Sequence, residues 1–446
     1  MSDEDTPNKK STVRHTRAIQ RDLSKRSVGM PTDEQVAARL TEIVHPSTLA
    51  QVSHFYHLGL RERLLTLPVM VAYVLALIWR QIGSVGELVR IVQREVVLWV
   101  PPLKVSQQAF SQRLRCLPSE LFLQVLVAVL PELRQRWAQR QRPLPPEIAW
   151  AREHYQQVLV HDGSTLDALL RKVGLLQDCT TYPLAGRMTA LLDLCSRLPL
   201  HVWYEADPAA HDQRFWPRIL DILRAGTLLI FDLGYTSFTV FVQLTAAQVT
   251  FITRAKQNLS YTVERALVRT AAVHDTQVWI GTGAERQLVR LVEVLYQGRW
   301  YRYLTNELDV ARLPTAYVVA LYWQRWGIED AYAIVKRLLG LAYFWCGAQN
   351  AVEMQLWATW LLYAVLVDLT DAIAATLNRP FAAISMEMVY RSLYFFTQAH
   401  HRRETDDVVA YLAAEAKELG ILKRRRISAR PASLTILSNL TSCPDP

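Results

Sequence analysis

Between Thr32 and Trp137 apolar residues recur at spacings of three and four, with little β-branched alternation, and this pattern predicts helices. Pro101-Pro102 ends one of them, and Ser106 stands where it can cap the next, QQAFSQRLRCL. The proline-rich stretch RQRPLPPEIAW, 140–150, reads as a linker, and beyond it the character changes. Four short apolar runs predict buried strands: VLVHDGS at 158–164, LPLHVWYEA at 198–206, TLLIFDLGY at 227–235 and QVTFITRAK at 248–256. Their longer, partly helical connections predict an α/β domain. From about Leu259 to Asn306 the pattern is mainly β, with Gln297-Gly298 placed to turn a hairpin, and helices return from Pro314. No internal repeat stands out.

Chain length adds a division into two or more domains, since 446 residues exceed one simple core. Half of the residues are apolar, which argues against wholesale disorder. The formal net charge of +9 favours a polyanionic partner, of which nucleic acid is the commonest. Residues 1–30 read as a flexible, net-basic arm, and Lys423–Arg426 add a basic run near the other end. Five cysteines without a C-x-x-C pair predict idle thiols rather than a zinc site or a disulfide framework. The two longest apolar runs, 64–79 and 354–367, fall short of the roughly 20 residues that span a bilayer and predict buried helices. The first residues hold no apolar stretch of the kind that directs secretion.

Two of the strand candidates lead into an aspartate followed by a flexible turn: Asp162 in VLVHDGS and Asp232 in LLIFDLGY. Carboxylates at strand ends sit at a sheet edge, where open α/β folds place their sites, and two of them side by side call for a divalent cation. The plainer alternatives are an Asp-Gly turn for Asp162 and a helix cap for Asp232. The segment Ala320–Gly340 carries Tyr322, Arg325, Glu329 and Lys336 at helical spacing. At about 100° per residue the four fall within an arc of roughly 60°. Apolar neighbours occupy most of the remaining surface, so this polar stripe is expected to face a site; ion pairs on a solvated face are the alternative. Arg254 and Lys256 are further candidates for phosphate contact, or a solvated strand face. In 84–117, two helices around a turn suggest a helix-turn-helix with Gln108, Ser111 and Arg113 toward DNA, or else a plain helical bundle. His161 and His211, near the aspartates, read as core or surface histidines.

The spacing Tyr-x2-Arg-x3-Glu-x6-Lys resembles the signature of IS4-family bacterial insertion-sequence transposases, and DGST at Asp162 and DLGY at Asp232 resemble that family's other two blocks, in the same order. The resemblance covers roughly 158–357. It implies an RNase H-like catalytic domain over 151–350, with a mainly β insertion at about 259–306. The 97 positions separating Asp232 from Glu329 leave room for such an insertion. A helical DNA-binding region at 31–145 would precede this domain, and C-terminal helices with a basic tail, 351–446, would follow as a dimer contact. In hairpin-forming relatives an aromatic residue shortly before an L-T-[SN] strand stacks on a flipped base. Here YLTN is preceded by Trp300 and Tyr301, of which Tyr301 matches by spacing, so hairpin and other cut-and-paste routes both stay open.

By the same resemblance, Asp162, Asp232 and Glu329 would hold two Mg2+ or Mn2+ ions that activate water or a DNA 3′-hydroxyl and stabilise the leaving oxygen. Arg325 and Lys336 would neutralise phosphate charge, and Tyr322 would bind the backbone or wall the site. The expected partners are double-stranded element ends and target DNA, and a second copy in a synaptic dimer. No membrane is expected, and the place is a bacterial cytoplasm. Two alternatives stand beside the transposase: a metal-dependent nuclease of the same fold without strand transfer, and a non-catalytic DNA-binding regulator.

Overall fold

The computed structural model describes residues 33–60, 63–167, 184–207, 210–341, 344–423 and 437. The arm expected at 1–30, and the basic run beyond Lys423, lie outside them. Among the described residues the chain opens with helices α1 Asp33–Ala50, α2 Val52–His57, α3 Leu67–Trp79, α4 Val85–Val92, α5 Gln107–Cys116, α6 Glu120–Gln139 and α7 Pro146–His154. Ser106 caps α5 as expected, accepting the Ala109 N–H at 3.1 Å. The connection from α4 to α5 is not the tight turn of a helix-turn-helix. It holds a Val97–Val100 bridge and Pro101-Pro102, which cannot continue a helix. The proline-rich linker is likewise built in. Pro146 starts α7, and Arg140 and Arg142 pair with Asp368 and Asp371.

Strands β1 Gln157–Asp167, β2 Leu184–Asp193 and β3 Pro199–Glu205 follow, then α8 Trp216–Leu220, β4 Thr227–Phe231, α9 Phe238–Ala246 and β5 Thr250–Arg254. The mainly β segment forms β6 Thr262–Arg269, β7 Val273–Ile280, β8 Gln287–Tyr296 and β9 Arg299–Thr305. All nine described strands join one sheet in the order β3-β2-β1-β4-β5-β9-β8-β7-β6. β1 is parallel to β4, and β4 to β5, while the other neighbours run antiparallel. Strand β2 was not foreseen. Its sequence, LAGRMTALLD, mixes good helix formers with a glycine and lacks clean alternation.

The central strands are covered on both faces, and alternation decides which side chain goes where. Leu159, Leu229 and Phe231 enter a core with Trp216, Phe241 and Leu244 of α8 and α9. Val158, Val160, Leu228 and Ile230 point the other way. They meet α10 Thr315–Gln324 and α11 Trp326–Ala333, which continues into a π-helical turn, Ile334–Leu338. That second core extends through the N-terminal helices to α12 Gln349–Thr376, α13 Met386–His401 and α14 Val408–Ala414.

Helix α12 is long and apolar enough to cross a membrane, yet 89% of its most apolar stretch is buried inside the protein. It packs on α6, and Asp368 near its end binds Arg39 at 2.6 Å and Arg140 at 2.7 Å. Of the helices expected to meet a second copy, α12 is thus taken up by the chain's own core.

A buried ion pair ties the outer strands to the helix pair. Arg290 of β8 donates from Nε to Asp275 of β7 at 3.0 Å and from Nη1 to the Leu313 carbonyl at 2.8 Å, and Thr315, at the start of α10, donates to Asp275 at 2.6 Å. Both charged side chains are fully buried. Removing one partner strands the other charge, so Asp275→Ala is expected to cost about 3–5 kcal/mol in a chemical denaturation experiment. A loss below about 1 kcal/mol would show that the pair does not carry this junction.

Candidate active site

Alternation fixes the position of the first two carboxylates. Val160 and Ile230 face the helix pair, so Asp162 and Asp232, two residues further on, face it too. The β1–β4 ladder pairs His161 with Phe231, which makes the aspartates next neighbours across two parallel strands. Asp232 follows the end of β4 directly. Asp162, in contrast, lies inside β1, which runs on to Asp167 beside β2 after its pairing with β4 has stopped. The Asp-Gly pair is therefore extended strand and not a turn.

The helix pair brings the third carboxylate and its neighbours. Tyr322 donates its hydroxyl to Asp232 Oδ1 at 2.9 Å. Arg325 forks: Nη1 reaches Asp162 Oδ2 at 2.6 Å and Nη2 reaches Glu329 Oε1 at 2.8 Å. Lys336 reaches past them to the carbonyl of Thr165 on β1. The polar stripe thus faces the sheet, as its spacing predicts. The segment is not one even helix, since it breaks at Arg325 and widens into a π turn around Lys336, a departure that recurs at functional sites.

The electrostatics follow from burial. Asp162 is pushed up to about 6, first by desolvation, with Asp232 and Glu329 adding repulsion; Arg325 and the Gly163 N–H, at 2.8 Å, pull it back. Burial also raises the Tyr322 hydroxyl well above its usual value, so it stays a proton donor to Asp232. Burial opposes the charge of the Arg325 guanidinium, but the groups around it, with Asp162, Asp232 and Glu329 as its carboxylates, hold it above its usual range. Asp162, Asp232 and Glu329 are hard oxygen donors and fit a hard divalent cation in kind. With Arg325 inserted between Asp162 and Glu329, no three His, Cys, Asp or Glu side chains among the described residues stand close enough to hold one in this arrangement.

The other candidates divide. Arg254, at the exposed end of β5, is paired in register with Tyr303 and acts electrostatically on Tyr322, which puts it beside the cluster. Lys256 is exposed two residues on. Tyr301 is half-buried and packs edge-on against Trp323 at 5.7 Å, whereas Trp300 is exposed and stacks on His274 at 4.8 Å. His161 is fully buried and lowered to about 3 by desolvation, so it is a neutral core residue. His211 is exposed. Far from the carboxylates, Gln108 is exposed on α5 and Ser111 half-buried, while Arg113 donates to the Leu65 carbonyl at 2.9 Å. Arg113, Arg63 and Lys104 line a groove of about 760 Å3 there.

Residues 157–365, which span the carboxylates and the whole sheet, match the family model of the transposase DDE domain. A curated relative, the "Putative transposase y4zB" of Sinorhizobium fredii (strain NBRC 101917 / NGR234), is 29% identical over 247 residues, covering 48% of this chain and 62% of that protein. The chain therefore spans about three-fifths of the length of the relative it matches. A solved structure, the piggyBac transposase synaptic complex with hairpin DNA, aligns over 88% of this chain and 84% of its own at 12% identity, with a TM-score of 0.37, too loose a likeness to build on.

Among the residues around the carboxylates, sequence reasoning missed Thr189, Asp212, Tyr235 and Tyr332, which cluster around Asp162 and the turn after Asp232. Only Tyr235, inside the DLGY block, carried a visible signal. The Asp162 carboxyl is expected to titrate near pH 6 in the metal-free protein, and Arg325→Ala to move its midpoint higher, since the lost cation favoured the charged form. Carboxyl NMR titration checks this, and a lower midpoint in the variant would contradict the assigned cause.

Proposed function

We propose that this protein is a DNA transposase that cleaves the ends of a mobile element and joins them to target DNA. The observation that carries the reading is the meeting of the Tyr322–Arg325–Glu329–Lys336 stripe with Asp162 and Asp232 inside the segment that matches the DDE-domain model. The β3-β2-β1-β4-β5 order, with β2 antiparallel and the aspartates on the parallel pair, supports an RNase H-like core, and β6–β9 support reading 259–306 as its mainly β insertion. The motif spacing supports placement in the IS4 family.

In this reading Asp162, Asp232 and Glu329 would hold two Mg2+ or Mn2+ ions. Such ions, when bound, supply positive charge to the attacking and leaving oxygens of an in-line phosphoryl displacement. The chain's own part is to place the ligands and the phosphate. Tyr322 orients Asp232 through its hydroxyl. Arg325 presents a planar fork that suits a phosphate as well as it suits two carboxylates. Lys336 and Arg254 add positive charge on either side of the aspartates. Gln108, Ser111 and Arg113, with the Arg63–Lys104 groove, would bind duplex DNA away from the scissile bond, and Trp300 or Tyr301 would contact a base near the element end. Lys256 would assist as a phosphate contact. The acting form would be a dimer holding two element ends in the bacterial cytoplasm.

The test is cleavage of a labelled duplex bearing candidate element ends, with Mg2+ or Mn2+. Wild type is expected to nick and then join the ends to target DNA. Asp162→Asn, Asp232→Asn and Glu329→Gln should each lower the rate roughly a thousandfold or more while end binding is retained. Nicking without joining would support a nuclease, binding without nicking a regulator, and undiminished cleavage by Glu329→Gln would remove that residue from the site.

A further inference from the structure

The three carboxylates lie on three separate elements, and a run of side chains outside the carboxylate set joins those elements. Tyr332, three residues after Glu329 on α11, donates its hydroxyl to the main-chain oxygen of Asp162 at 2.6 Å and accepts the Ala190 N–H at 3.0 Å. Asp162 and Ala190 are partners in the β1–β2 ladder, so the phenol enters the sheet at the aspartate itself. Thr189 donates its hydroxyl to the same Asp162 oxygen at 2.6 Å. With that proton committed, Thr189 Oγ1 can only accept from Tyr235, 3.1 Å away and three residues after Asp232. The single Tyr235 proton is shared between Thr189 and the more distant Asp212 Oδ1, 3.5 Å away, and Asp212 is held by an ion pair with Arg187 of β2. One connected run, Arg187–Asp212–Tyr235–Thr189–Asp162–Tyr332, therefore touches β1 at Asp162, the turn after Asp232 and the helix after Glu329.

The close fit around this run explains two glycines. A Cβ on Gly163 would stand 2.4 Å from the Tyr235 oxygen and 3.0 Å from Asp212 Oδ1, and one on Gly234 would stand 3.1 Å from Asp212 Oδ2. Asp212 is thus wedged between the two glycines that follow Asp162 and Asp232. Tyr235 is 1% exposed and Thr189 wholly buried, so water does not substitute freely for the bonds they make.

We propose that Asp212, anchored by Arg187, and the hydroxyls of Tyr235 and Tyr332 are positioning residues that set where Asp162, Asp232 and Glu329 stand relative to one another. None of them is placed to touch reacting atoms; they act through the main chain of Asp162 and the turn after Asp232. The proposal rests on the reading of the three carboxylates as metal holders.

The test uses the full chain with Asp212→Asn, Tyr235→Phe and Tyr332→Phe, and Asp207→Asn, in an exposed pair with Arg214, as control. Three quantities are read: Mn2+ affinity by electron paramagnetic resonance without DNA, affinity for duplex ends by band shift, and the single-turnover cleavage rate at saturating DNA. Tyr332→Phe and Asp212→Asn are expected to lose roughly tenfold in Mn2+ affinity and tenfold or more in rate, with end affinity within about twofold of wild type and the control unchanged. Folded variants that match wild type in both Mn2+ affinity and rate would overturn the proposal. So would variants whose rate falls only in step with end affinity and melting temperature, since that marks a general structural role. If Asp212→Asn does not fold, Tyr235→Phe carries the same comparison with one oxygen removed. If wild type binds Mn2+ but cuts no duplex, the transposase reading fails, while the Mn2+ comparison still decides the positioning claim.

Discussion

The guanidinium of Arg325 lies between Asp162 and Glu329, and much of the surrounding structure can be understood as keeping it there. Desolvation and two neighbouring anions press the Asp162 carboxyl toward its neutral form, and Arg325 opposes them from 2.6 Å. A lysine would supply the same charge as a point; the planar fork is what reaches two carboxylates on different elements at once. The rings of Tyr322 and Trp326, 5.7 and 5.5 Å from the guanidinium carbon, supply further favourable contact. For the fork to work, the helix carrying it must lie against β1 at one height, and the second core is what presses it there.

The sheet turns this local need into an architecture. Because alternate residues of β1 and β4 serve opposite cores, a shift of one residue in either strand would send its aspartate to the wrong face. Registry is held on one side by α8 and α9 and on the other by the helix pair. The outer strands are part of the same device. They continue the sheet through the β5–β9 pairing, and the Asp275–Arg290 pair fastens them to the start of α10.

A good part of this was legible in the sequence. The four apolar runs became strands, the β segment was placed correctly, and the Tyr-Arg-Glu-Lys stripe faces the sheet as its 100° spacing required. What escaped had physical reasons. β2 is an edge-side strand written in helix-forming residues, and its identity comes from pairing with β1 rather than from its own pattern. The two helices at 84–117 were visible, but their long bridged connection was not. Asp212 and Tyr332 gave no signal because their roles arise only when β2, the loop before α8 and α11 are brought together. Asp162 was expected at a strand end, because a dipeptide that usually turns the chain was read by its commonest habit.

The path of the apolar core bears on how the chain comes to be folded. Helices α3, α5 and α6 pack against α12, which begins only at Gln349. As the chain leaves the ribosome, these three helices lack that partner until the whole sheet and the helix pair beside it have been made. These helices are thus made well before they can be sealed, and a fragment ending before α12 would leave them with an open apolar face.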